Sequence, residues 1–301
     1  MRPVALAAAA AAAALAYAIW RRLSRDAARR GDASRTARWA AEQDALARKL
    51  RAGDDAAVAE LAASLAARDG RAWRVAGLDI STAADGRAVA SAVVVELPSR
   101  RKVAARHEAV VLDAPYARAR AGTTLATRGP TRGSGLQVPG YLGFREAPAL
   151  ARVLANLVSE RPEAAPTLAL IDGNGVLHPR GVGSACHVGV LAGVPTVGVA
   201  KALHHVDGLD EKTTRAACRE RPIALGEWLP LVGASGRTWG AALRATSDKS
   251  FRPVYVSVGH GVSLESAVAV VNACCKHRVP EPVRLADLEG REVLRRLADV
   301  R

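Results

Sequence analysis

The 301-residue chain is short of acidic side chains and of aromatics: 29 Asp and Glu stand against 43 Lys and Arg, and Phe, Trp and Tyr make up 4% of it. The acid deficit leaves a formal charge of +14, which speaks against an acidic, self-solvating chain and favours a polyanionic partner, nucleic acid being the commonest. An arginine-rich composition accounts for part of that excess. The apolar half of the composition is inflated by alanine, so hydrophobic content says little about core size. The four cysteines, Cys186, Cys218, Cys274 and Cys275, include no CxxC pair with a second pair or histidines at ligand spacing, which excludes a zinc framework. Cys274 and Cys275 read as reduced thiols on a helix and suit a reducing compartment. Neither a GxGxxG fingerprint nor a GxxxxGK[ST] loop is present, which argues against a nucleotide enzyme. No period of 20 to 50 residues recurs.

What is present falls into three stretches. Residues 1–30 carry six arginines and one aspartate, a net +5. Their apolar core, Val4 to Trp20, is dominated by alanine and lies at the lower limit of about 17 residues for a span. A signal peptide, an anchor, an organelle transit segment and a solvated low-complexity extension all fit it, and anchoring would leave the downstream chain cytosolic. Residues 31–70 form an alanine-rich extension with a helical pattern over 34–67 that Gly53 breaks. From 71 to 301 the texture is that of one α/β domain. Arg74 to Thr82, Val89 to Leu97 and Arg106 to Leu112 read as an antiparallel meander. Helices at Phe144–Leu157, Ser184–Leu191 and Leu264–Cys275 then alternate with strands at Thr167–Ile171, Thr196–Ala200, Trp239–Ala245 and Val254–Val258. That order predicts one mixed sheet flanked by helices. Residues 117–137, with four arginines, four glycines and no acid, fit no element and read as a disordered basic loop.

The chemistry concentrates in Leu170-Ile171-Asp172-Gly173-Asn174-Gly175-Val176-Leu177-His178-Pro179-Arg180. A buried strand there delivers a carboxylate, two glycines and a histidine within one turn, although Asp172 alone also fits a turn cap and His178 a surface position. Asp79 interrupts the apolar first strand, where an unpartnered carboxylate is costly and a cation is its usual companion. Glu146 opens the Phe144 helix, a place that the helix dipole alone would also favour. Together the three carboxylates suit a hard cation, Mg²⁺ or Mn²⁺, of the kind that activates water in phosphodiester hydrolysis. Lys201 and His260 each follow a buried strand and are expected on the ligand side of the sheet. His187, inside an apolar helix, reads as a core histidine; His204 and His205 have no evident partner.

The blocks VAGLDIS, VPGYLGFREAP, LALIDGNGVLHPRGVGSACHVGVLAGVPTVGVAKAL, PVYVSVGHGVSLESAV and CCKHRVPEPVRLAD, in this order, resemble the endonuclease V family, in its eukaryotic branch, from about Trp39 to Arg296. The resemblance implies a ribonuclease H-like mixed sheet and a monomeric enzyme that cuts one nucleotide 3′ of inosine or deoxyinosine. The products would be 3′-hydroxyl and 5′-phosphate ends, with single-stranded RNA preferred to DNA. It implies metal ligands at Asp79, Glu146 and Asp172, Lys201 on the scissile phosphate and His260 close by. The substrate-binding positions it implies are Tyr116, Pro139, Leu142, Gly173, Gly175 and His178. It also implies a cytoplasmic or nuclear location, which the N-terminal segment leaves open. The family's Pro-Tyr-Val-Pro-Gly wedge is interrupted here: Tyr116 and Val138 are separated by residues 117–137, whose removal restores APYVPGYLGFREAP. The insertion is either a tolerated loop or a gene-model artefact. A protein that binds inosine nucleic acid without cutting it is the rival reading, against which the retained carboxylates speak, since they repel phosphates unless a cation intervenes.

Overall fold

A computed structural model describes residues 37–83, 87–112, 140–220, 223–246 and 252–299. The N-terminal 30 residues, the basic insertion, Tyr116 and Pro139 lie outside them. The chain divides at Ala45/Leu46, within the first helix, α1 (residues 37–47). Everything below belongs to the larger unit. Among the described residues no helix is long and apolar enough to cross a membrane.

The larger unit opens with α2 (Ala56–Ala67) and the meander β1 (Trp73–Thr82), β2 (Arg87–Leu97) and β3 (Arg101–Val111). Helix α3 (Gly143–Glu160), β4 (Leu168–Asp172), α4 (Ser184–Ala192) and β5 (Thr196–Ala200) follow. Helix α5 (Glu211–Glu220), β6 (Trp228–Val232), β7 (Thr238–Leu243), β8 (Val254–His260), α6 (Leu264–Cys274) and α7 (Glu281–Asp299) complete it. The eight strands make one mixed sheet in the order β3-β2-β1-β4-β5-β8-β7-β6. β1, β4 and β5 run parallel, β4 after the meander and the α3 crossover and β5 after the α4 crossover; the other pairings are antiparallel.

Side-chain alternation sorts the core into two layers. Val75 on β1, Leu168 and Leu170 on β4, and Val197 and Val199 on β5 pack with residues of α2, α6 and α7. Ala76, Leu78, Ala169 and Ile171 face the opposite way, onto Leu150, Val153, Leu154 and Leu157 of α3 and Val188 of α4. The stripe of buried residues at 143, 146, 147, 150, 153, 154 and 157 is what makes α3 a helix of this sheet. On the first face α7 lies so close to β1 that a Cβ at Gly77 would stand 2.1 Å from the Pro282 carbonyl carbon.

The expected meander and the alternating strands and helices are present, with ends displaced by a few residues. Three elements had no signature in the periodicity. β6 contains Pro230 and lies at the sheet edge, the place where a missing N–H is tolerated. α5 buries only Thr214 and Cys218. α7 carries Gly290 in its interior, a poor helix former that here allows contact with Ser81 and Ser91. Cys274 ends α6 and Cys275 follows it; all four cysteines are free and buried.

Candidate active site

β1 and β4 are parallel with Leu78 opposite Ile171, so the next residues, Asp79 and Asp172, emerge side by side at the same sheet end. Both continue the face of Val75 and Leu170, toward α7. A cleft of about 350 Å³ opens there, lined by Asp79, Ile80, Ser81, Thr82, Asp172, Leu142, Glu146, Leu150, Asp287 and Arg291. The three carboxylates expected from the sequence therefore meet in one cleft although they come from β1, α3 and β4. Asp79 and Glu146 are each 8% exposed.

Burial, then the charges of Asp172 and Asp287, push the Asp79 carboxyl up to about 7, against a partial offset from Lys201. Ser81 donates its hydroxyl to Asp79 Oδ2 at 3.3 Å. Lys201, one residue beyond β5, donates from Nζ to Asp172 Oδ2 at 2.6 Å. Its backbone carbonyl accepts from the Arg278 guanidinium at 2.6 Å, and the same guanidinium holds the Pro253 carbonyl at 2.9 Å. Lys201 is thus clamped at the point where the β5–β8 ladder ends.

Asp287 was not expected as a site residue. It sits in the first half of α7, on the border of the buried stripe Val283, Ala286, Gly290 and Leu294, and its backbone carbonyl accepts from Ser81 Oγ at 3.5 Å. An acid flanking an apolar helical stripe is the signal that marks it. Arg291, one turn later, pairs with Asp287 Oδ2 at 2.5 Å.

His260 is a correction. It was expected beside Lys201 because both follow buried strands, but β8 is antiparallel to β5, with His260 opposite Thr196 and Tyr255 opposite Ala200. Four residue steps, about 13 Å at strand rise, separate its level from the ligand end of β5. His260 is 6% exposed, and the Arg51 side chain reaches its Nε2 from Nε at 3.0 Å. It does not line the carboxylate cleft.

Of the expected base-pocket residues, Leu142 lines the cleft itself. His178 is buried at 8% exposure; its Nδ1 accepts from the Arg180 N–H at 3.2 Å. Burial holds its pKa down to about 4, with the charges of His204 and Arg180 acting the same way and a hydrogen bond to the Gly140 backbone opposing them. Gly173 is half-buried after β4 and donates its N–H to the Val199 carbonyl at 3.1 Å. Gly175, a substrate-binding position by resemblance, has its backbone engaged within the fold. Its N–H donates to Ser257 Oγ at 2.9 Å, its carbonyl accepts from Gly183, and a Cβ would lie 1.9 Å from the Val258 oxygen. Gly175 is there for the close approach to β8. His187 is the core histidine expected, 2% exposed and edge-on to Phe144 with ring centroids 4.6 Å apart.

Among the described residues no three His, Cys, Asp or Glu side chains already converge as a ligand set. The donors nonetheless fit a hard divalent cation. They are all carboxylate oxygens, and burial, then the charges of Asp172 and Asp287, raise the Asp79 pKa, a cost that a proton or a cation relieves.

The family model "Endonuclease V" matches residues 136–288. The mouse protein "Endonuclease V" is 40% identical over 253 residues, 79% of this chain and 68% of its own; the human one is 40% identical over 250 residues, 79% and 81%. Among solved structures, human ENDOV superposes with a TM-score of 0.73 at 39% identity, covering 87% of this chain and 99% of that one. Ciona intestinalis Endonuclease V, solved with a 24mer DNA containing an inosine followed by a ribo-adenosine, superposes with a TM-score of 0.72 at 28% identity, covering 88% and 99%. The cleft of carboxylates on this sheet is accordingly carried by a chain that belongs to the endonuclease V family.

Proposed function

We propose that the protein hydrolyses inosine-containing single strands in a reaction dependent on Mg²⁺ or Mn²⁺. It cuts the phosphodiester one nucleotide 3′ of the inosine and leaves 3′-hydroxyl and 5′-phosphate ends, with RNA ahead of deoxyinosine-containing DNA. The observation that carries this reading is the meeting of Asp79, Glu146 and Asp172, from three separate elements of an endonuclease V chain, in one cleft beside Leu142. The inosine-containing DNA bound by the Ciona relative supports the choice of substrate.

Asp79, Glu146 and Asp172, with Asp287, are the residues that would hold the cation, which when bound neutralises the phosphate and lowers the pKa of a coordinated water. Lys201, fixed through its backbone by Arg278, presents its ammonium beside Asp172 and binds the scissile phosphate there. Leu142, Gly173 and His178 form the receptacle for the extruded base. His178 remains neutral at physiological pH, so it offers shape and hydrogen bonding without a charge. Hypoxanthine differs from adenine by a carbonyl acceptor and a ring N–H donor, and a buried site that pairs both rejects adenine by leaving its own groups unpaired.

The test is cleavage of matched single-stranded RNA and DNA oligonucleotides, each with one inosine, across a titration of Mg²⁺ or Mn²⁺, with Asp172→Ala alongside. The reading requires cation-dependent cutting one nucleotide past inosine that Asp172→Ala abolishes while much of the binding survives. Tight binding without cutting at any cation concentration would favour a non-cleaving inosine-binding protein, the reading that the interrupted wedge at Tyr116 suggests.

A further inference from the structure

The cleft holds more acid than a phosphate-binding site tolerates unless its cations are placed with care, and two basic side chains sit directly on its carboxylates. Lys201 covers Asp172 at 2.6 Å, and Arg291 covers Asp287 at 2.5 Å. The carboxylates are 18% and 20% exposed, whereas the basic partners are 37% and 51% exposed, so solvent and ligands reach the cations first. Arg291 also lines the cleft in its own right, which distinguishes it from the surface arginines Arg295 and Arg296 further along α7.

Three features fit Arg291 to a phosphate. Side chains on a helix lean toward its N-terminus, so a residue one turn after Asp287 overhangs that carboxylate and the cleft beyond it. Its tie to Asp287 is a half-exposed i,i+4 pair, a weak interaction that a stronger anion displaces readily. Its guanidinium presents paired N–H donors that match phosphate oxygens two at a time. Helix α7 is meanwhile held to the sheet by other residues. Gly77 accommodates Pro282, Gly290 meets Ser81 and Ser91, and Glu289 accepts from Lys102 at 2.8 Å. Release of Asp287 by Arg291 therefore leaves the helix in place.

We propose that Arg291 is a phosphate-binding residue of the substrate strand: it leaves Asp287 for a backbone phosphate on the α7 side of the carboxylates, while Lys201 takes the scissile phosphate on the β5 side. The two ion pairs of the free protein are placeholders, and the arriving strand exchanges each carboxylate partner for a phosphate. This rests on the reading of the cleft as a phosphodiesterase site.

The test uses the full chain and fluorescence anisotropy of a labelled single-stranded RNA, with and without one inosine, in Ca²⁺ and in EDTA between 50 and 200 mM salt. Arg291→Gln should weaken binding roughly three- to tenfold, by the same factor for both RNAs, and should reduce the slope of log affinity against log salt by about 0.7, the signature of one lost phosphate contact on a single strand. Arg291→Lys should keep most of that slope. Wild-type affinity and slope in Arg291→Gln would overturn the proposal, as would a loss of cleavage with an unchanged slope, since Arg291 would then act only on Asp287. If the wild type cuts no inosine strand and Arg291→Gln still lowers the slope, the phosphate contact of Arg291 stands and the nuclease reading on which its catalytic setting rests fails. If the wild type cuts and the slope does not move, the reverse holds.

Discussion

Replacing Gly77 by alanine should damage stability and activity together, because this position sets how closely the first turn of α7 approaches the sheet. A Cβ there would lie 2.1 Å from the Pro282 carbonyl carbon and 2.3 Å from both the Pro282 oxygen and the Val283 nitrogen. All three are backbone atoms, so no side chain can rotate away. Ordinary contact begins near 3.4 Å, so α7 must retreat by roughly 1.3 Å at its first turn. Overpacking of this kind costs about 1–3 kcal/mol, and the rigidity of both elements puts Gly77→Ala at the upper end. For a unit of this size that is a fall in Tm of about 6–12 °C. Asp287 lies five residues beyond Pro282 on the same helix, and a displacement on the order of 1 Å in a catalytic group lowers rates by about a hundredfold. Urea unfolding and cation-dependent cleavage should therefore both be measured, with Gly70→Ala as the comparison. Gly70 has φ +74° and nothing within 4 Å of its Cβ position, so its substitution carries only the backbone penalty of roughly 1 kcal/mol and leaves cleavage intact. A Gly77→Ala protein with a wild-type urea midpoint and wild-type cleavage would refute the idea that this contact fixes α7.

Other expectations concern separate parts of the fold. His187 is held neutral down to about pH 4 by burial and then by the charge of His178, whereas in the unfolded chain it takes a proton below about 6.5. Its contribution is complete above pH 6.5 and is lost as pH falls toward 4, about 3 kcal/mol in all. Urea unfolding at pH 7.5 and 4.5 should show His187→Phe losing less stability over that interval than the wild type, and identical losses would discard the assignment. Ser64 accepts from the Trp73 indole N–H at 2.8 Å and donates to Asp69, so Ser64→Ala strands a buried donor and should cost about 1–3 kcal/mol in unfolding experiments without changing cleavage. Arg278→Ala removes the donors to the Lys201 and Pro253 carbonyls and should slow cleavage roughly tenfold, an effect that disappears when Lys201 is already alanine. Full additivity of the two changes would mean that Arg278 does not act through Lys201.

What could be read from the sequence, and what could not, follows from the kind of information that each residue carries. Asp172 was legible as the polar residue that ends a buried strand and Asp79 as the acid inside an apolar one, and a two-turn meander followed by the α3 crossover returns the chain in the direction of β1, so that β1 and β4 run parallel and the two carboxylates fall side by side. Glu146 was legible through its place in a motif and in the first turn of an amphipathic helix. His260 met the same test of a polar residue after a buried strand and yet lies at the other end of the sheet. The periodicity of a strand is identical in both directions, and nothing in Val254 to His260 states that β8 pairs antiparallel with β5. A strand-end argument is therefore sound only where the connection fixes direction, and the segment between β5 and β8, with α5, β6 and β7, does not.

Asp287 escaped for the complementary reason. A helix declares which of its faces is buried but not which part of a sheet that face will cover, so an acid at the edge of the α7 stripe has no address until Gly77 and Gly290 seat the helix on β1 and β2. Those glycines were visible as residues, and only the pairing of Gly77 with Pro282 gives them meaning. The result is a candidate site with divided contributions: the strands supply Asp79 and Asp172, α3 supplies Glu146, and α7 supplies both a further carboxylate, Asp287, and the Arg291 cation paired with it. Any change that loosens α7 should thus remove Asp287 and Arg291 from the cleft together. Loss of activity in Gly77→Ala, with Asp79 and Asp172 still in register on their strands, would separate the contribution of the helix from that of the sheet.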